Sequence, residues 1–323
     1  MNLVLGFALL VFVLQRYGAG ALAVLQREPS VGLVLAFLAC ATSVVVCLAW
    51  RWGEILRGVQ APLPLLSLTL YRSASHSLAV VVPSGKLGGD PLRAWLAYRR
   101  GAPAEHAIAS VAIDRSIEMA STVPFSILFV TLLLQHGVPQ LEKALVTVGI
   151  GALGLAIGIA IAVVRLRRGS GLVTAIARST RLDRIDLVDA HMDLVDASEA
   201  SAACLVGQPL RLAVAFGAGL VANLLVVVEF WLLLAAFGLP ADPIAVVAAL
   251  FATGASHLVP VPAGVGVLEG SQMWLFEMLG YTADVGLAVG LAVRLRELLW
   301  MLPGLLFLLL RPLPASPQRA GEA

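Results

Sequence analysis

PSGKLGGD, from Pro83 to Asp90, breaks an otherwise membrane-grade apolar chain with a proline, three glycines, a lysine and an aspartate. Displaced by 179 residues stands PAGVGVLE, in which Pro262 matches Pro83, Gly264 matches Gly85 and Glu269 takes the acidic place of Asp90. The correspondence runs outward without a gap. It pairs Trp52 with Trp231, Pro64 with Pro243, Ser77 with Ser256, Trp95 with Trp274, Gly101 with Gly280, Arg115 with Arg294, Glu118 with Glu297 and Pro124 with Pro303, and sets Glu105 against Asp284. Leu, Val and Ala coincide by chance in apolar sequence, but Trp, Pro, Arg and Glu are scarce here, so the pairing reads as an internal duplication.

Of the 323 residues, 59% are hydrophobic and only 13% charged, with a mean hydropathy of +0.93. That is too apolar for a soluble globular chain of this length. Val31 to Ala49, Ala144 to Val164 and Leu212 to Phe237 each approach or exceed the roughly 20 apolar residues that span a bilayer as a helix. No strand-like alternation competes, so the fold class expected is all-α and polytopic. The N-terminus enters an apolar run directly after Asn2 with no basic region before it, which reads as a retained helix and not a cleaved signal. Cys40, Cys47 and Cys204 have neither disulfide nor metal-ligand spacing and are expected to be small core residues. The net charge of +2 decides little, because the distribution of Lys and Arg among loops sets membrane orientation.

The whole chain, 1–323, reads as a single membrane domain. An N-terminal helix occupies 1–30, and Arg51 and Arg57 after the next span mark a cytoplasmic loop. Pro64 to Val82 leads through PSGKLGGD into a segment carrying Arg93, Arg99 and Arg100, again cytoplasmic by charge. A segment with basic flanks on both sides cannot cross once, so 64–101 is expected to be a re-entrant hairpin that turns at Pro83, Gly85, Gly88 and Gly89. Ala104 to Gln135 then crosses outward and completes the first copy, 31–135. The linking region, 136–209, holds the returning span, the basic cluster Arg165, Arg167 and Arg168, and a cytoplasmic amphipathic helix. On that helix Asp186, Asp189, Asp193 and Asp196 share one face, most simply a solvated one.

The second copy, 210–311, has its own hairpin, 243–280, turning at Pro262, Gly264 and Gly266, and 312–323 forms a cytoplasmic tail. Six crossings and two hairpins result, against the eight spans of a plain hydropathy count. The single span between the copies turns the second upside down. Inverted repeats with broken helices near the bilayer midplane are a transporter architecture, in which unwound backbone faces a polar cavity instead of lipid.

Candidate site residues follow from charges placed in membrane helices. Arg115 with Glu118, and Arg294 with Glu297, stand at i and i+3 and can meet on one helix face. Each charge near mid-membrane costs about 2.5 to 3.5 kcal/mol on the insertion scale, so partners or water must offset it. Either these residues lock hairpins to helices, or the arginines bind an anionic group such as a lipid phosphate, which a guanidinium engages in a fork. Asp90 and Glu269 begin helices after glycine breaks. They serve there as caps, or as a carboxylate pair for a cationic headgroup or protons. His76 and His257 lie near the breaks at non-equivalent positions and read as hydrogen-bonded core histidines before proton relays. Trp95 and Trp274 fit either interfacial anchors or cavity walls. No histidine-rich metal set and no Ser/His/Asp or Cys/His constellation is convincingly placed. An enzyme, a bound metal or another cofactor is therefore not expected, nor a nucleic-acid partner.

GGDPLR at Gly88 to Arg93, IDRSIE at Ile113 to Glu118 and PVPAGVGVLEG at Pro260 to Gly270 resemble the lysylphosphatidylglycerol synthase transmembrane-domain family, lipid flippases that include hopanoid-associated members. The resemblance covers most of the chain. It implies a protein of the bacterial or archaeal inner membrane, with both termini cytoplasmic, that moves a lipid or glycolipid between leaflets. The aminoacyl transferase domain of bifunctional relatives would have no room before Ala323, so synthesis of aminoacylated lipid is not expected. Membrane lipids with an anionic or phosphate-bearing headgroup are the expected partners. The alternative is an ion-coupled transporter of small solutes built on the same repeat, with a non-transporting scaffold as a further possibility.

Overall fold

The computed structural model describes residues 2–25, 29–82, 88–137, 141–169, 171, 174, 192–257, 259, 261 and 264–310. Pro83, Gly85, Pro262, Asp186 and Asp189 lie outside the described residues. Among those described, eleven α-helices account for the regular structure and no strand occurs. They are α1 (Asn2–Leu25), α2 (Val31–Gly58), α3 (Leu65–Val81), α4 (Asp90–Arg99), α5 (Ala104–Gln135) and α6 (Glu142–Arg167), followed by α7 (Met192–Val206), α8 (Pro209–Ala236), α9 (Pro243–Ser256), α10 (Val267–Met278) and α11 (Ala283–Leu310).

Local chemistry explains the boundaries. Prolines with no amide hydrogen to lose sit in the first turns of α4, α8 and α9. The Asp242 carboxylate accepts the Ile244 and Ala245 amides at 3.1 Å each and so caps α9. At α10, Gly266 holds the left-handed φ of 78° that ends the break, and its amide donates to the Glu269 carboxylate at 2.9 Å. That is half of a capping box, since glycine offers no side chain for the reciprocal bond.

Among the described residues four helices are long and apolar enough to cross a bilayer: α2, α5, α6 and α8. Among them α6 has a single buried residue, Leu145, and turns Ile150, Leu153, Ile157 and Ile161 outward. Exposed apolar surface of that extent belongs in lipid. The protein is an all-helical membrane protein. By contrast α4 and α10, with 10 and 12 residues, reach only ~15 and ~18 Å at 1.5 Å per residue, about half of a ~30 Å hydrocarbon core.

Helix starts recur at the offset of 179. Adding it to Val31, Leu65, Asp90 and Ala104 gives 210, 244, 269 and 283, against observed starts at Pro209, Pro243, Val267 and Ala283. Packing recurs as well. The first helices of the two copies, α2 and α8, lie together, α3 packs on α11 of the other copy, and α5 packs on α9. Two buried clusters form the core, one built around Trp52, Ile55, Leu68 and Leu96, the other around Phe230, Val247, Phe276 and Leu287. Each draws residues from both copies, with Ala215 joining Trp52 in the first and Phe37 and Leu133 joining Phe276 in the second.

Two expectations about basic residues are corrected. Arg51 does not lie in a loop, because α2 continues through it to Gly58, and both Arg51 and Arg93 are buried. Acidic partners inside the fold hold them there, a circumstance the positive-inside rule does not consider. The expectation that all three cysteines are core residues is corrected: Cys40 and Cys47 are half-buried where α2 meets α8, donating to the Leu225 and Ala218 carbonyls, whereas Cys204 is exposed on α7, which turns Ser201, Ala202 and Leu205 inward. Asp193 and Asp196 are exposed on α7, whose Ser198, Ala202 and Leu205 are buried.

The α3–α11 crossing depends on Gly304. A Cβ there would overlap the Ser73 carbonyl, whereas one at Gly158 on α6 would meet nothing within 4 Å. Gly304→Ala is expected to lower the thermal midpoint in detergent by several degrees, an overpacking cost of about 1 to 3 kcal/mol. Gly158→Ala leaves the midpoint unchanged or slightly raised. Intrinsic-fluorescence melts of the two variants check the difference.

Candidate functional site

Asp114, one third of the way along α5, is fully buried, and three helices deliver a guanidinium to it. Arg51 of α2 donates through Nε to Oδ1 at 2.7 Å, while Arg72 of α3 and Arg93 of α4 reach Oδ2 at 3.0 and 2.5 Å. One turn further on, Glu118 accepts from Arg51 and Arg72 at 3.0 and 2.6 Å through Oε2, and from Arg115 at 3.0 Å through Oε1. Asp90, the first residue of α4, closes the set with Arg93 at 3.2 Å and Arg115 at 3.5 Å. The Arg93 guanidinium also stacks 4.9 Å from the Trp52 ring. Four arginines face three carboxylates, so this half of the site carries one excess positive charge.

The second copy repeats the core of this pattern and omits the rest. Arg294 bridges Glu269 at 2.8 Å and Glu297 at 2.9 Å, as Arg115 bridges Asp90 and Glu118, and it also reaches the Gly264 carbonyl at the break. Where the first copy has Arg51, Arg72, Arg93 and Asp114, the second has Phe230, Phe251, Gln272 and Val293. His257 at the end of α9 places Nε2 3.0 Å from Glu297. Beside this cluster Arg296 forks onto the fully buried Glu229 at 2.8 and 2.7 Å, the Trp300 indole donates to the same carboxylate at 2.8 Å, and the guanidinium lies between the Phe230 and Trp300 rings.

A cavity of about 370 Å³ lies against the arginine-rich half and is lined from both copies. Arg51, Arg72, Arg93, Arg115, Asp90 and Glu118 form its polar side. Val44, Val45 and Leu48 of α2 with Val226 and Phe230 of α8 and Leu250 of α9 form an apolar one, and Asn223, Arg296 and Trp300 complete the lining. Such a volume falls within the ~300–1,000 Å³ of pockets that enclose small ligands.

Of the residues singled out in the sequence, Arg115, Glu118 and Asp90 meet one another on this cavity. Arg294, Glu297 and Glu269 also meet, but in a cluster outside its lining. Gly88 and Gly89 precede α4, with Gly89 so close to Ser75 that a Cβ would overlap the Ser75 carbonyl, and Gly264 and Gly266 both adopt positive φ. Sequence reasoning missed Arg51, Arg72, Arg93 and Arg296 as site residues. The signal for the first three was available in the duplication: positions where one copy holds a charge and the other an apolar or amide side chain. Among the described residues no group of His, Cys, Asp or Glu is placed to hold a metal ion.

The sequence pattern of the family described as the lysylphosphatidylglycerol synthase TM region matches residues 1–304, nearly the full length. The chain belongs to this family. No curated protein matches it. The family is a membrane one linked to lipid handling.

Asp114 neutralises more than one buried guanidinium, so removing its charge is expected to cost more than any single arginine change that spares it. Asp114→Asn should destabilise the protein by about 3 to 5 kcal/mol, the range for a buried pair broken on one side. Arg115, part-exposed at the cavity, should tolerate lysine with little loss of folded yield. Yield and monodispersity after detergent extraction report the contrast.

Proposed function

We propose that the protein is a lipid translocase that carries the charged headgroup of a lipid between membrane leaflets by alternating access. The observation that carries this reading is the cavity, in which a single excess positive charge on one side faces an apolar wall on the other. A phosphate-bearing headgroup satisfies the first side, and the proximal part of an acyl or isoprenoid chain satisfies the second. Arg72 and Arg115, 13% and 20% exposed, are the headgroup contacts, with Arg51 and Arg93 buried behind them. Planar guanidinium groups fork onto phosphate oxygens in a way a lysine cannot.

The paired short helices support the topology of six crossings and two re-entrant hairpins. In this reading α3–α4 and α9–α10 enter from opposite faces, and both chain ends lie on the cytoplasmic side of the inner membrane. Copies that exchange packing partners, α3 with α11 and α5 with α9, suit rocking of one repeat against the other about a central site. No chemical step is needed, so the protein acts as a carrier and not an enzyme.

Reconstitution into liposomes with labelled anionic, zwitterionic and isoprenoid-linked lipids tests the proposal. Movement of an anionic lipid is expected, with Arg72→Gln and Arg115→Gln each slowing it at least tenfold at unchanged folded yield, and Arg115→Lys retaining a part. Transport of a water-soluble anion in place of any lipid would favour the small-solute alternative. No movement of any lipid class would overturn the reading.

A further inference from the structure

Among the described residues that line the cavity, only Thr122 of α5 and Gly254 of α9 are exposed, and the others are buried or half-buried. The rim of the cavity is therefore set by two helices that pack on each other. Its depth can be read from α8. Thr122 donates through Oγ1 to Asn223 Oδ1 at 3.4 Å, and Asn223 stands at the middle of Pro209–Ala236, a helix long and apolar enough to cross the bilayer. A rim at that depth faces hydrocarbon and not water. The neighbouring side is shut: a Cβ at Gly219 of α8 would stand 2.6 Å from the Ser121 hydroxyl of α5, and Asn223 Nδ2 donates to the same hydroxyl at 3.2 Å. On the α9 side, a Cβ at Gly254 would meet no atom of the described residues within 4 Å. The matched position of the first copy is Ser75, which is buried, and a Cβ on Gly89 would overlap its carbonyl. The repeats thus differ at this point, closed in the first and open in the second.

We infer that the gap between α5 and α9 is a lateral portal at mid-membrane, and that the acyl chain of the carried lipid occupies it while the headgroup sits in the cavity. This rests on the translocase reading and adds to it a site for the tail and a route of entry. The size of the cavity requires such a division. At about 370 Å³ it stands at the low end of the range that encloses small ligands, so it has room for a headgroup, and long chains have to lie outside it. The chemistry of the rim fits an occupant with a polar and an apolar part. Leu250, one turn before Gly254, and Val226 of α8 carry the apolar wall of the cavity toward the rim. Thr122 and Asn223 place polar atoms beside it, at the depth where a headgroup leaving water has the most need of hydrogen-bond partners. A chain that stays in lipid is spared any transfer into water, so only the headgroup has to be enclosed. Leu250, Thr253 and Gly254 share the cavity-facing side of α9, and at Gly254 any side chain would project into the gap. Glycine leaves it open.

The experiment uses the full-length protein in liposomes containing labelled phosphatidylglycerol. Gly254→Trp sets an indole in the gap and should slow lipid movement at least tenfold at unchanged folded yield. Gly254→Ala should keep most of the rate, and Gly158→Trp, on the exposed face of α6, all of it. A second measurement reads occupancy instead of rate. With Gly254 replaced by the photoreactive p-benzoylphenylalanine, illumination should attach tail-labelled phosphatidylglycerol to the protein. Arg72→Gln in the same chain should lower that capture several-fold, because the tail dwells in the portal while the headgroup is held. The same photoreactive group in place of Gly158 meets bulk lipid, and Arg72→Gln should leave its capture unchanged. A wild-type rate in Gly254→Trp, or capture at position 254 that is absent or indifferent to Arg72→Gln, would overturn the inference and leave the translocase reading standing. Failure of the wild-type protein to move any lipid would overturn both.

Discussion

Asp114 is the constraint on which the first copy depends. A carboxylate with no exposure to water is tolerable only if cations meet it, and arginines on α2, α3 and α4 do so from three directions. The dependence is mutual. Arg51 and Arg93 are themselves buried, and neither could remain charged among apolar helices without an anion in contact. Such a network contributes little net stability, since desolvation offsets most of the attraction. Its contribution is geometrical: α4, too short to be anchored by apolar area alone, is fixed against α5 at the depth where the charges meet.

The second copy solves the same packing problem with fewer charges and smaller residues. In place of an arginine at the α4 position it has Gln272, whose amide donates to the Ala249 carbonyl and the Thr253 hydroxyl. Where α5 has Ala107 and Val111, α11 has Gly286 and Gly290, and a Cβ at Gly286 would stand 2.6 Å from the Met273 Cα. Close backbone approach thus joins α10 to α11 where ion pairs join α4 to α5. What both copies retain is the arginine that bridges the acid at the start of the short helix and the glutamate three residues on. That triad is the common device, and the extra arginines of the first copy are its specialisation.

The helices were legible because each rests on local information. Apolar runs, prolines at first turns and glycines at breaks bring the starts of the helices in the two copies to within a few residues, and Arg115 with Glu118 is visible as an i, i+3 pair. The site was less so. Arg51 lies 63 residues from Asp114 and Arg93 lies 21, separations at which no periodicity links them. A count of loop charges therefore assigned them to water, where isolated arginines belong. The duplication held the missing information in its differences. Phe230 opposite Arg51 and Val293 opposite Asp114 differ together, since without the carboxylate a buried guanidinium would have no counter-charge there.

A carrier must release what it binds, and the arrangement of the carboxylates bears on this. A pocket with several unopposed guanidiniums would hold a phosphate too firmly to cycle, because favourable binding has to remain weak enough for exit. Here every cavity arginine already has a carboxylate in contact, so a headgroup gains its bonds by exchange. The carboxylates are not equivalent in that exchange. Asp114 is 0% exposed and fixed by three cations, whereas Glu118 and Asp90, 31% and 22% exposed, stand at the cavity edge. Under the translocase reading, Arg72 and Arg115 turn from Glu118 and Asp90 to the phosphate on loading and fall back on them at release. Asp114 keeps the remaining guanidiniums in place throughout. The cost of parting each arginine from its internal partner offsets most of the attraction to the headgroup, and the single surplus charge sets what is left.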